Sequence, residues 1–348
     1  VEGPIVEGKS YVINVRLENP MQYIFKLTKV KTNGEDLTGA TVTVNNKTVI
    51  HDGNSSYEVS KVVSLGNVTA FTINETATAP NHVNVLENKF ALIVVRMSET
   101  GEINIVNKSI YDTSSGRAVL LPSTDESYGY LKTEITRGSD GIQIVDVKLL
   151  NPVEYKFELT KVKSDEQKTN LPGAVLTVNG REVISGGKSD YTITEKIHIG
   201  EVKSYVIQEA SSVTNHINVL DKKFIVVAVR LDENEELKIV SKLAYDVSGR
   251  APVQASSDIW NYIDVHFEEV DGVKVLKVDV VNPVEYKFKL LKTKSDKYST
   301  PLDGATLTIN GETVISNGTS SYEITKSINI GEKQTFIVRE NETKPGYK

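Results

Sequence analysis

A long segment occurs three times in this chain, and that recurrence narrows the possible folds more than any other feature. Residues 149–165, LLNPVEYKFELTKVKSD, return at 280–296 as VVNPVEYKFKLLKTKSD, with a looser copy, RLENPMQYIFKLTKVKTN, at 16–33. Asn19, Asn151 and Asn282 begin the three Asn-Pro pairs, and Lys29, Lys161 and Lys292 follow them in step. Further along, LTGATVTVNNKTVI, LPGAVLTVNGREVI and LDGATLTINGETVI align, and so do FTINET, YVIQEA and FIVREN. A unit of about 131 residues therefore repeats. It fills 20–151 and 152–282, while 1–19 match the last strands of a preceding unit and 283–348 an incomplete third. The expectation is a window on a longer array. The opening VEGPIVEGKSYVINV lacks the charged start and apolar middle of a signal peptide, which reads as a start inside a mature protein.

Within each unit the apolar period is two, with Val, Ile, Thr, Tyr and Phe at strand positions and NG, GG, DG or NN at turns. Amphipathic helical patterns of useful length are missing. Short strands at regular spacing predict an all-β chain of tandem antiparallel β-sandwich domains of immunoglobulin-like or transthyretin-like type. The chain has no cysteine, so disulfides and thiolate metal sites are excluded, and another device must brace the sandwiches outside a cell. Its net charge of -6 comes from interspersed Glu, Asp and Lys, which argues against nucleic acid as a partner. No apolar run approaches the length of a membrane span.

Side-chain parity singles out three polar residues per unit. Tyr23, Phe25, Leu27 and Lys29 share one face of their strand, as do Tyr155, Phe157, Leu159 and Lys161, and Tyr286, Phe288, Leu290 and Lys292. Val147, Leu149 and Asn151 form a second series, matched by Val278, Val280 and Asn282 and by Ile13, Val15, Leu17 and Asn19. Phe71, Ile73 and Glu75 form the third, with Tyr205, Ile207 and Glu209, and with Phe336, Val338 and Glu340. A lysine, a glutamate and an asparagine are thus expected inside each sandwich. Burying an ammonium and a carboxylate costs several kcal/mol per ion unless they pair well or become neutral. Desolvation lowers a lysine pKa and raises a glutamate pKa, so the pair can exist as free amine and protonated acid. Such an amine held against an asparagine carboxamide is a nucleophile at high effective molarity, and the acid can polarise the carbonyl and shuttle the proton as ammonia leaves. The product is an amide cross-link. The same residues also fit a plain core salt bridge, with the asparagine ending its strand before proline.

These segments resemble the Cna-B family, the SpaA-type or prealbumin-like domains of Gram-positive pilins and surface adhesins. The likeness lies in a lysine segment followed by Leu-x-Gly-Ala, as in KVKTNGEDLTGA from Lys29, KVKSDEQKTNLPGA from Lys161 and KTKSDKYSTPLDGA from Lys292, and in a strand ending in Glu before a proline-containing turn, as in ENETKPGY at 340–347. It spans nearly the whole chain. The resemblance implies autocatalytic isopeptide bonds, Lys29 with Asn151 assisted by Glu75 and Lys161 with Asn282 assisted by Glu209. Glu340 would take the same role for Lys292, and Lys292 and Asn19 remain cross-link candidates without a partner here. The chain departs from the family where Lys31, Lys163 and Lys294 replace the frequent aspartate. ASSVTNH follows Glu209 without a Pro-Gly-Tyr turn, and the stretches holding IYDTSSGRA and AYDVSGRAP are long enough to add a hairpin.

A bond tying the first strand of a sandwich to its last, near where the chain enters and leaves it, would route tension from Lys29 to Asn151 past everything between. It would also supply the missing bracing, since closing a long loop brings the largest gain. The functional expectation is the shaft of a bacterial cell-surface adhesin or pilus-like fibre, extracellular and wall-attached or in a fibre, with self-directed bond formation as its only chemistry. No cofactor and no metal are expected. The implied partners are neighbouring repeats, other fibre subunits, and host matrix or host cells reached through other segments. Alternatives are a matrix-binding or glycan-binding module and a subunit polymerising by strand complementation. LPSTD at Leu121 has Asp125 where a sorting signal needs glycine and reads as a loop, whereas the NKT, NVT and NGT sequons at Asn46, Asn67 and Asn317 are expected by chance in Thr-rich strands and matter only where the host glycosylates. His82 and His216 read as polar turns, and DENEE at 232 as a solvated turn before a weak calcium loop.

Overall fold

The computed structural model describes residues 5–7, 10–12, 19–248, 252–253, 257–316 and 318–348. Ile13, Val15, Leu17 and Asn317 lie outside them. Among the described residues strands dominate, joined by turns and two 3-10 helices, Glu126–Tyr130 and Asp258–Asn261. By contacts the chain divides into two compact units. One is Val1–Glu154 with Lys196–Glu201 and Leu231–Glu236; the other is Tyr155–Glu195, Val202–Arg230 and Leu237–Lys348.

In the first unit a four-stranded sheet runs in the order Leu131–Arg137, Gln143–Asn151, Met21–Lys31, Ser56–Val63. It faces a six-stranded sheet ordered Val119–Leu120, Ile103–Asp112, Lys89–Met97, Val68–Ala77, Thr41–Val44, Lys47–Ile50. Tyr23, Phe25, Leu27, Val145, Val147 and Leu149 from the first meet Val42, Phe71, Ile73, Ala91 and Ile93 from the second in one buried core. The second unit repeats the plan. Asp190–Ile197, Val153–Lys163, Val273–Asn282 and Ile263–Val270 form one sheet, and Arg181–Ile184, Val175–Val178, Val202–Ser211, Lys223–Leu231 and Leu237–Asp246 the other. A shorter copy follows, in which Val284–Leu291 pairs with Ser321–Ile328, and Thr306–Ile309 lies between Glu312–Ile315 and Val338–Glu342.

The expected β-sandwich is present, with one departure from purely antiparallel pairing. The strand carrying Asn151 runs parallel to the strand carrying Lys29, in the register Leu149↔Lys29 and Asn151↔Lys31. The strand carrying Asn282 likewise runs parallel to that carrying Lys161, with Val280↔Lys161 and Asn282↔Lys163. Parallel neighbours need a long crossover, and here the rest of the sandwich provides it. The lysine therefore sits where the chain leaves the sandwich. It is not also near where the chain enters, at Met21, which lies eight residues or about 26 Å back along an extended strand.

Local chemistry explains the glutamate strand's place. The hairpins at 41–50, 175–184 and 306–315 turn through Asn45-Asn46, Asn179-Gly180 and Asn310-Gly311, all at positive φ, as two-residue primed turns require. The first asparagine of each turn accepts from a backbone N–H of the glutamate-strand segment: Thr72 at 2.8 Å, Val206 at 2.8 Å and Ile337 at 2.9 Å. Across the core, aromatic rings four residues before the lysine and the glutamate stack, Phe25 on Phe71 at 3.8 Å, Phe157 on Tyr205 at 4.0 Å and Phe288 on Phe336 at 4.2 Å. Turn and stack together fix the height at which each glutamate meets its lysine.

Candidate cross-link sites

In the first sandwich Lys29, Asn151 and Glu75 come from three strands in two sheets and meet at the end of the core. The Lys29 and Glu75 side chains are both 0% exposed, with Nζ 2.7 Å from Glu75 Oε1. Lys29 Nζ also donates to Asn151 Oδ1. Asn151 Nδ2 donates to Glu75 Oε1 at 2.7 Å and to Thr78 Oγ1 at 2.9 Å. Glu75 Oε2 is buried with no hydrogen-bond partner among the described residues.

The second sandwich assembles the same set with two differences: the lysine meets the other glutamate oxygen, and it makes no bond to the asparagine oxygen. Lys161 and Glu209 are again 0% exposed, Nζ lying 3.2 Å from Glu209 Oε2. Asn282 Nδ2 donates to Glu209 Oε1 at 2.7 Å and to Ser212 Oγ at 2.7 Å. Asn282 Oδ1 is buried without a partner among the described residues. A buried acceptor left unmet costs about 1–3 kcal/mol, so this cluster holds polar groups that noncovalent contacts alone do not satisfy.

Burial governs the proton balance. Desolvation brings the Lys29 amine down from its ordinary value to about 8 against the opposing pull of the Glu75 charge. Lys161 comes down to about 8 for the same reason, with Glu209 opposing. Burial also pushes the Glu209 carboxyl up, and its bonds to Lys161, Asn282 and Ser212 only partly offset that. Proton transfer from lysine to glutamate is thereby made easier than in water. A free amine beside a carboxamide and a carboxylic acid is what amide exchange requires.

The remaining expected residues are placed differently. Lys292 Nζ lies 2.6 Å from Glu340 Oε2, but their side chains are 18% and 32% exposed, and the Lys292 hydrogen bond holds the Glu340 carboxyl below its usual range. The inward series Tyr286, Phe288 and Leu290 is only half-buried, because no strand among the described residues lies parallel to Val284–Leu291. Asn19, expected to face a core, is exposed; no lysine-glutamate pair stands opposite it among the described residues.

Sequence reasoning missed Thr78 and Ser212, the second acceptors for the two carboxamides. Their signal was available: each stands three residues after its glutamate, and Thr343 does so after Glu340. It also missed Asn84 and Asn218, whose Nδ2 groups donate to the Glu75 and Glu209 carbonyls at 2.9 and 3.0 Å. His82 and His216 sit in turns with Nδ1 against the carbonyls of Pro80 and Thr214, at 2.8 and 3.2 Å. Asp125 of LPSTD caps a 3-10 helix through Ser127 N. At DENEE, Asp232 Oδ1 accepts from Asn234 N and Glu236 N in a tight turn. No helix among the described residues is long and apolar enough to cross a membrane.

No family model matches the chain, and no curated protein matches it. Among solved structures it is similar to a C-terminal fragment of the pilus adhesin SpaC from Lactobacillus rhamnosus GG, at 13% identity over 75% of this chain and 97% of that one, with a TM-score of 0.26. It is similar to the Bacillus anthracis TIE protein at 14% identity, over 92% of this chain and 45% of that one, with a TM-score of 0.26. For BcpA, the major pilin subunit of Bacillus cereus, the values are 13%, 92%, 85% and 0.22.

Proposed function

We propose that the chain is shaft material of a bacterial surface adhesin or pilus-like extracellular fibre, built of sandwich repeats at 20–151 and 152–282 that lock themselves with Lys29–Asn151 and Lys161–Asn282 isopeptide bonds. The observation that carries this reading is the burial, in both sandwiches, of a lysine, a glutamate and an asparagine that converge from the first strand, the last strand and the facing sheet. The Cna-B-like segments favour the same reading and a Gram-positive surface location.

In the reaction, lysine Nζ attacks asparagine Cγ as a free amine. The Nζ–Cγ bond forms, Nζ gives up a proton, the Cγ–Nδ2 bond breaks, and Nδ2 leaves as ammonia carrying a proton relayed through Glu75 or Glu209. One amine and one primary amide become one secondary amide and one ammonia, with no cofactor and no external substrate. The chain is then no enzyme in the ordinary sense, since its substrate is itself. The product removes the buried lysine charge, and with it much of the cost of placing that group in the core.

Digestion of the full chain followed by tandem mass spectrometry tests this. A branched peptide joining the Lys29 and Asn151 segments, and another joining those of Lys161 and Asn282, are expected. Linear peptides alone would leave only the salt-bridge reading. The preformed Lys292–Glu340 pair favours one extension: an asparagine-bearing strand laid parallel to Val284–Leu291 would complete a third site. If that strand comes from another subunit, SDS-resistant multimers should appear.

A further inference from the structure

Each asparagine carboxamide carries two N–H hydrogens, and in both sandwiches one goes to glutamate Oε1 and the other to a hydroxyl. That hydroxyl belongs to the first residue beyond the glutamate strand, Thr78 after Val68–Ala77 and Ser212 after Val202–Ser211. Thr343 holds the same place after Val338–Glu342. The residue type changes between threonine and serine while the oxygen stays, which points to the hydroxyl rather than the methyl.

The loop that presents this hydroxyl is tied to the backbone just beyond the asparagine. Val83 N donates to Pro152 O at 3.0 Å, and Glu154 N to Asn81 O at 2.9 Å. In the second sandwich Ile217 N donates to Pro283 O at 3.0 Å, and Glu285 N to Asn215 O at 2.9 Å. Asn84 and Asn218 pin the start of the loop to the glutamate carbonyl, as described above, and use their own Oδ1 to accept from Leu86 N at 3.0 Å and Leu220 N at 2.9 Å. The hydroxyl is therefore held by a cage of four recurring bonds, at a distance set relative to the asparagine backbone.

We propose that Thr78 and Ser212 are positioning residues for isopeptide formation, which fix the asparagine carboxamide with its nitrogen turned away from the lysine and accept a hydrogen bond from that nitrogen as it departs. The inference rests on the cross-link reading above. With both N–H groups engaged the carboxamide cannot flip about its last torsion, so Cγ presents a constant face to Nζ. As the Cγ–Nδ2 bond breaks, Nδ2 gains a proton and its N–H groups become stronger donors. The bond to the hydroxyl then strengthens in the transition state, and that difference is what raises a rate. The hydroxyl keeps its own proton throughout, so glutamate remains the proton carrier.

The test uses the full chain with four substitutions, Thr78→Val, Thr78→Ser, Ser212→Ala and Ser212→Thr, and follows ammonia loss by intact mass at intervals after synthesis. Thr78→Val keeps the side-chain shape without the oxygen; circular dichroism checks that each variant retains its sheet signal. Thr78→Val and Ser212→Ala should each slow bond formation tenfold or more in their own sandwich and leave the other at the parental rate. Thr78→Ser and Ser212→Thr should react as the parent does. Parental rates in Thr78→Val and Ser212→Ala would overturn the proposal. So would equal slowing in Thr78→Val and Thr78→Ser, which would mark a packing role. A parent chain that never loses ammonia would instead defeat the cross-link reading itself.

Discussion

Replacing Glu75 by Gln should turn one sandwich from an inextensible element into an extensible one, and the length released can be worked out beforehand. Lys29 and Asn151 are 122 positions apart. At about 3.3–3.6 Å per extended residue, the bond withholds roughly 400–440 Å of chain from any applied tension. Because the two strands are parallel, tension enters at Met21, runs along the lysine strand to Lys29, crosses to Asn151 and leaves. Only the lysine strand itself lies on the path, and it is already extended. Single-molecule stretching of the full chain held at its two ends reads this directly. The parent should show no step of this size from either complete sandwich. Glu75→Gln, which keeps the side-chain shape but cannot relay a proton, should show one such step while the second sandwich stays locked. Steps of about 400 Å in the parent, or none in Glu75→Gln, would refute the load path.

In Asn282→Ala, which cannot cross-link its sandwich, Lys161 stays an amine that titrates at about 8 when folded and near the ordinary lysine value of 10.5 when unfolded. Between those values the unfolded chain binds more protons, so stability should rise with pH from about 8 to about 10.5. Urea midpoints, compared with those of the Lys161→Met, Asn282→Ala double variant, should show that rise in the single variant alone. Phe71→Tyr should give Tyr23 the phenol partner that Tyr155 has in Tyr205 at 2.5 Å, raising stability by about 1 kcal/mol and with it the thermal midpoint. Asn179→Ala should cost about 1–2 kcal/mol in a melting experiment, since it removes the bond to Val206 N and puts a residue with no local partner at a positive φ.

Much of the site was legible because side-chain parity is a local property of a strand. Two-residue alternation placed Lys29, Lys161, Asn151, Asn282, Glu75 and Glu209 inside, and all six are buried. Strand direction was not legible, because alternation reads the same for parallel and antiparallel neighbours. The expectation that the bond lies beside both ends of the domain failed there, since parallel pairing puts Lys29 at the exit alone. Lys292 and Glu340 have the right parity and remain partly exposed, because burial also needs a neighbouring strand, which parity does not supply. Thr78 and Ser212 escaped notice because they lie beyond their strands, where the period of two no longer applies and only their constant offset from the glutamate marks them. The ring stacks of Phe25 on Phe71 and Phe157 on Tyr205 join residues distant in sequence, so their matching heights emerge only when the two sheets face one another.

The load path and the chemistry both depend on nitrogen leaving both asparagines as the chain folds. The intact mass of the purified 348-residue chain measures this most directly. The expected value is the sequence mass less two ammonia molecules, with one restored in Glu75→Gln, one in Glu209→Gln and both in the double variant. A parent mass equal to the unmodified sequence would mean that lysine and asparagine only touch, and the sandwiches would then be held by ordinary packing.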